Sequence, residues 1–211
     1  MLRKCIIFCL LSLLCFSAIA CKRSNNNLIE FTYGDDYLWN GNIAYVPEYV
    51  IVPLSVGDSF GYCVDELGKN AVCEIAGENR DEWIYIKYEK KWIAGDGRLY
   101  KAVSLAECGI EDFGVTTIEI QDMGKGSGRV LRQIKDQTTI DNVISILHSS
   151  DYKQTPEHID INESKLVVFL STGFPGLKYE SILRQDNKGN KYLTNLEDAS
   201  QVHEITGLLD Y

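Results

Sequence analysis

The side chains with chemistry to offer are seven cysteines, three histidines and thirty carboxylates. Their spacing singles out Cys21. It follows Ala18-Ile19-Ala20 and closes an uncharged run from Cys5 to Ala20, ahead of which stand Arg3 and Lys4. A basic start, an apolar stretch and small residues before a cut make an export signal that is removed from the mature protein. Cys5, Cys9 and Cys15 lie inside that leader and leave with it. Of the others, Cys63 and Cys73 fall in two expected strands, Phe60–Val64 and Ala71–Ile75, joined by a polar turn. A hairpin would set them opposite each other, and a cross-strand disulfide is expected in an oxidising compartment. Two separate small buried thiols are the alternative. Cys108 has no histidine or basic residue near it in sequence, so an activated nucleophile is not expected there.

The order of Ala18-Ile19-Ala20-Cys21 resembles the signal of bacterial lipoproteins, in which the cysteine after the cut becomes the lipid-bearing first residue. The resemblance implies lipidation of Cys21 through a diacylglycerol thioether, often with a further N-acyl chain. Two or more chains hold a protein stably on a bilayer. It also implies a place on the outer face of a plasma membrane or in an outer membrane. Ala18-x-Ala20 satisfies the ordinary secretion pattern as well, which would release a soluble protein. An uncleaved anchor is the third reading, although the apolar run is shorter than the ~20 residues of a spanning helix.

The remaining groups give no catalytic residue, no metal site and no cofactor. Gly124-Lys125-Gly126-Ser127-Gly128 has the glycines of a phosphate cradle, but the Lys-Ser order and the flanking strands are those of a hairpin loop. His148, His158 and His203 are far apart and form no two-histidine metal motif. His148 is expected to cap a helix C-terminus, and His203 to sit solvated on a helix surface. Acid pairs such as Asp35-Asp36, Asp65-Glu66 and Glu111-Asp112 could serve a hydrolase, but nothing in the sequence sets their separation. Aromatics crowd the first half (Tyr33, Tyr37, Trp39, Tyr45, Tyr49, then Trp83, Tyr85, Tyr88, Trp92). An exposed aromatic face suits a glycan or protein partner, whereas alternation along strands buries about half of them. Phe174-Pro175-Gly176 reads as a turn that exposes its ring.

The net charge of −9 falls to −11 once Arg3 and Lys4 leave with the leader. So acidic a body excludes nucleic acid as a partner, since its phosphates need Lys and Arg. It also leaves contact with an anionic membrane to the anchor. A basic envelope partner or a well-solvated exported surface fits the charge.

The elements that must position these groups divide the chain into a signal peptide over residues 1–20, a tether over 21–27, a β-rich domain over 28–106 and an α+β domain over 115–211. In the first domain, β-branched and aromatic runs alternate with Gly, Asn and Asp clusters at the spacing of a small antiparallel sheet. Pro47 and Pro53 suggest edge positions, and Gly95-Asp96-Gly97 a tight hairpin. Trp39-Asn40-Gly41, Val56-Gly57-Asp58-Ser59-Phe60-Gly61, Cys73-Glu74-Ile75-Ala76-Gly77 and Arg98-Leu99-Tyr100-Lys101-Ala102 resemble segments of uncharacterised β-rich lipoproteins of Gram-positive bacteria. That resemblance implies a sheet-rich fold and no activity.

In the second domain Ile140, Val143, Ile144 and Leu147 place one apolar stripe on a helix, with Thr138 and Asp141 as a capping box. Leu166–Ser171 reads as a buried strand, and Lys178–Arg184 pairs with Lys191–Thr194. A second helix is expected from Glu197 to Leu208, with Val202, Ile205 and Leu209 inward. This half is similar to small C-terminal modules of some Gram-positive surface lipoproteins. The expected fold class is therefore α+β, and the expected function a membrane-anchored, non-catalytic envelope lipoprotein. An exported hydrolase with acidic catalytic residues and an acidic inhibitor or immunity-type lipoprotein are the alternatives.

Overall fold

The computed structural model describes residues 28–34, 36–66, 68–89, 96–123, 128–156, 164–196, 198 and 200–209. The leader, Cys21, the tether, the glycine loop at 124–127 and His158 lie outside the described residues.

The first half forms a closed barrel. Its strands are β1 (Ile29–Gly34), β2 (Tyr37–Asn40), β3 (Ile43–Glu48), β5 (Val56–Asp65), β6 (Gly68–Ile75), β7 (Trp83–Lys87) and β8 (Gly97–Ala102), in the order β1-β2-β3-β8-β7-β6-β5. Neighbours in this order pair antiparallel, β3 crossing to β8, and β1 closes the ring by lying parallel to β5, with Phe31 opposite Cys63. Closure removes the sheet edges that an open array would expose. Period-2 alternation sorts the side chains. Phe31, Leu38, Tyr45, Cys63, Val72, Ile84 and Ile86 point inward and are buried together. Trp83 and Ile75 point outward, yet they are equally buried because the other half of the chain covers them.

That cover is an eight-stranded sheet in the order β10-β9-β12-β13-β14-β15-β11. It comprises β9 (Val115–Asp122), β10 (Val130–Ile134), β11 (Lys153–Gln154), β12 (Lys165–Ser171), β13 (Leu177–Gln185), β14 (Lys191–Thr194) and β15 (Gln201–Glu204). The eighth strand comes from the first half. β4 (Ile51–Pro53) leaves the barrel and pairs antiparallel with β13, Ile51 facing Tyr179 and Pro53 facing Leu177. One apolar core then runs from Ile51, Ile75, Trp83 and Leu99 to Ile118, Val167, Phe169 and Leu183. The segments 28–106 and 115–211 thus share a core and a strand.

The helix α1 (Gln137–His148) buries Ile140, Val143 and Leu147 against this core, as the stripe required. Its N-cap is Asp136 rather than Thr138. The Asp136 carboxylate accepts the Thr139 N–H at 2.9 Å and the Thr139 hydroxyl at 2.8 Å. That shifts the start because an aspartate one step outside the helix reaches the third N–H directly. These bonds hold the Asp136 carboxyl below the usual carboxylate range.

The α+β expectation is corrected here. Among the described residues strands make up 55 % and helix 7 %, with one helix. The expected second helix is instead β15, which pairs with β14 through Leu193 opposite His203. Val202 and His203 are both fully buried. Consecutive burial suits a strand covered on both faces and not a one-sided surface helix. Ile205 and Leu209 reach the core from the turn that follows, where the Leu208 N–H donates to the Ile205 carbonyl at 3.0 Å. His203 is therefore a core residue and not a solvated one.

Phe174 departs from expectation too. Its ring stacks on Phe113 at 5.1 Å and meets Trp83 edge-on at 6.4 Å, so the turn packs inward against the barrel. The Gly176 N–H donates to Glu78 Oε1 at 2.8 Å and secures it there. A Cβ at Gly176 would lie 2.4 Å from the Ala76 carbonyl oxygen, so only glycine allows this approach.

Candidate functional site at the barrel–sheet junction

Where β3 turns into β4, the barrel and the sheet leave an open groove of about 780 Å³. Three local features build it. Glu48, at the end of β3, accepts the N–H groups of Tyr49 and Val50 at 2.9 and 3.0 Å and lies 3.8 Å from Lys101 Nζ. It fixes the corner that sends β4 across to the sheet. The second feature is the connection between β8 and β9. There the Gly109 carbonyl accepts from Asp112 and Phe113, both at 3.1 Å, to close one turn. Ile110 and Phe113 flank two acids and are buried, so the turn is pinned by its apolar residues and presents Glu111 and Asp112 to the groove. The third is the end of α1, which contributes Leu147 and His148.

His148 Nδ1 lies 3.3 Å from Glu111 Oε1. The helix end is tied to the acidic turn instead of being capped by its own imidazole. Ser149 does the capping, its hydroxyl donating to the Ile146 carbonyl at 2.7 Å. On the floor the Tyr179 hydroxyl donates to the Cys108 carbonyl. Cys108 itself donates its thiol to the Gly109 carbonyl at 3.8 Å. Burial pushes the Cys108 thiol up, and the Asp112 carboxylate adds to the effect against an opposing pull from Lys101. Burial likewise drives the Tyr179 phenol far up. Both groups stay protonated at neutral pH, and a thiol is a poor nucleophile until it ionises.

The groove therefore unites Cys108, His148 and the Glu111-Asp112 pair. Sequence reading missed this because His148 is remote from Cys108 along the chain and only the docking of α1 brings it near. Carboxylates from Glu48, Glu107, Glu111 and Asp112 outnumber Lys101 and His148. The arrangement can hold a cationic group more readily than it can attack an electrophile.

The other two cysteines do not face each other. β5 and β6 do form a hairpin, but its register sets Cys63 opposite Asn70 and Cys73 opposite Ser59. Cys63 points into the barrel beside Val72, whereas Cys73 points outward, and both thiols are free. The hairpin closes with Asp65 opposite Gly68, and the unbroken register back from that pair sets Cys63 against Asn70, three residues short of Cys73. Among the described residues no group of three or more His, Cys, Asp or Glu could hold a metal. No described helix is long and apolar enough to cross a membrane.

The chain was compared with known proteins. No family model, no curated protein and no solved structure matches it.

Proposed function

We propose that the protein is an extracytoplasmic lipoprotein, anchored to a membrane through Cys21, whose barrel–sheet body binds another envelope component without catalysis. The reading is carried by Ala18-Ile19-Ala20-Cys21 at the end of an uncharged run behind Arg3-Lys4. The junction groove supports its binding half. It is open, is lined by more carboxylates than cations, and contains a thiol kept in its unreactive form. A basic segment of a partner is the natural occupant, because opposite charge steers encounter and fixes orientation.

Fractionation of cells tests this reading. Wild type is expected in the membrane fraction and Cys21→Ala in the soluble fraction or as unprocessed precursor. An unchanged membrane location for an otherwise processed Cys21→Ala protein would refute the anchor. A second reading, an exported hydrolase, draws on the shared groove of Cys108, His148 and Glu111. It predicts that Cys108→Ala abolishes turnover of a peptide or cell-wall substrate. The binding reading predicts no turnover to abolish.

A further inference from the structure

The outer wall of the barrel carries two depressions of about 500 and 530 Å³ that meet along Tyr85 and Val56; the second reaches β4 and has Glu48 in common with the junction groove. These volumes fall within the ~300–1,000 Å³ of ligand sites. We propose that this wall binds an uncharged glycan chain, laid across the ring of Tyr85 with a sugar in the depression on either side.

The first support is the attitude of the ring. Tyr85 pairs with Leu99 across β7 and β8 and leans toward Gly97, two residues along β8. A Cβ on Gly97 would lie 2.6 Å from Tyr85 Cε1 and 2.7 Å from Cζ. The ring therefore sits against the Gly97 backbone, where any other residue would displace it, and it stands half-buried between the two depressions. A π face carries partial negative charge. A pyranose presents a face of C–H bonds with partial positive charge, ringed by hydroxyls, and so it complements such a platform.

The second support is charge. Glu48 at the margin is engaged with Lys101 and two backbone N–H groups. The other ionisable rim groups are Asp58 and Asp96 against Lys87 and Arg98, so the signs balance. Arg98 is held by Tyr49, its guanidinium 5.0 Å from that ring and its Nη1 donating to the phenol oxygen at 3.5 Å. In a protein of net charge −9 this is a neutral patch bordered by strong hydrogen-bonding groups. It suits hydroxyls and gives no preference to a phosphate, a basic peptide or an acidic one.

The third support is what the wall lacks. Strands β5 to β8 are each paired on both sides within the closed barrel. The part of the wall they form offers no free edge to an extended peptide, which would bind through main-chain hydrogen bonds.

The test is calorimetric titration of the full chain in detergent with cellotetraose and triacetylchitotriose as uncharged probes, and with oligogalacturonate and deacetylated chitotriose as charged ones. An uncharged probe is expected to bind, and Tyr85→Ala to weaken it about tenfold or more, while Tyr85→Phe keeps it within about threefold. Because Tyr85 also touches the core, Ala71→Trp provides a second variant. Ala71 lines the first depression on the outer face, and a bulky ring there is expected to block binding while leaving the far-UV spectrum unchanged. Binding of neither uncharged probe, tighter binding of a charged one, or full affinity in both Tyr85→Ala and Ala71→Trp would overturn the proposal. It does not depend on the anchor or on the junction groove, and it fails or stands separately from them.

Discussion

The phenol of Tyr179 donates its hydrogen bond to the carbonyl oxygen of Cys108, joining the middle of the sheet to the loop that leads out of the barrel. Tyr179 is buried, and its ring also meets Phe113 edge-on at 5.0 Å. Ring and hydroxyl together hold the acidic turn of Glu111 and Asp112 in place. Tyr179→Phe keeps the ring contact and deletes the bond. The expected loss is about 1–2 kcal/mol of stability, measured by urea denaturation, because a half-buried carbonyl is left without its donor. A variant as stable as wild type would show that the loop is held by packing alone.

The crossing strand makes a second prediction. Ile51 belongs to the barrel half in sequence, but it is buried in the shared core opposite Tyr179. Ile51→Ala is expected to cost about 2–5 kcal/mol, as for other buried aliphatic truncations. The far-UV signal of the strands and the fluorescence of Trp83 should shift together, since one core unfolds in one step. Two separated transitions would mean that barrel and sheet are independent units.

His203 predicts the pH response. Its ring is fully buried, and the Asn195 amide lies 3.1 Å from Nε2. Burial depresses its pKa, outweighing the Asp151 carbonyl and carboxylate, which pull the other way. The imidazole is thus neutral in the folded protein. Above the unfolded value of about 6.5, neither state carries the proton and nothing is lost. Below it the unfolded chain takes the proton first, so stability falls as pH falls, until the folded pKa is passed. The slope from this one group is at most about 1.4 kcal/mol per pH unit. His203→Gln should flatten the stability curve between about pH 7 and 5. An unchanged slope in that variant would place the sensitivity elsewhere.

The free thiols give a third kind of test. Cys63, Cys73 and Cys108 are unpaired, and the first two lie on opposite faces of one hairpin. After denaturation without reductant, all three are expected to react with a thiol reagent, and reductant is expected to leave the intact mass unchanged. A mass two hydrogens lighter before reduction would contradict the register of β5 and β6.

What the sequence could convey follows the range of the contacts involved. The stripe of Ile140, Val143 and Leu147 located α1 because helix periodicity is local. The hairpins β9–β10 and β13–β14 were legible for the same reason. Val202, Ile205 and Leu209 also fit a helical period, yet two of them reach the core from a turn. A short apolar run does not separate the two cases. Closure of β1 on β5 and the passage of β4 to β13 join distant segments, and no local pattern encodes such pairings. The candidate groove depends on both, so only its parts were visible. In the sequence Glu111 and Asp112 are an acid pair and His148 a helix-end residue, with no sign that they meet.

The fate of Cys21 decides where the protein works, and intact-mass spectrometry of the protein from its native membrane reads it directly. The expected species begins at Cys21 and carries the mass of a diacylglycerol thioether, with or without a further acyl chain. A species that begins at Cys21 without lipid, or one that retains Met1–Ala20, would contradict it.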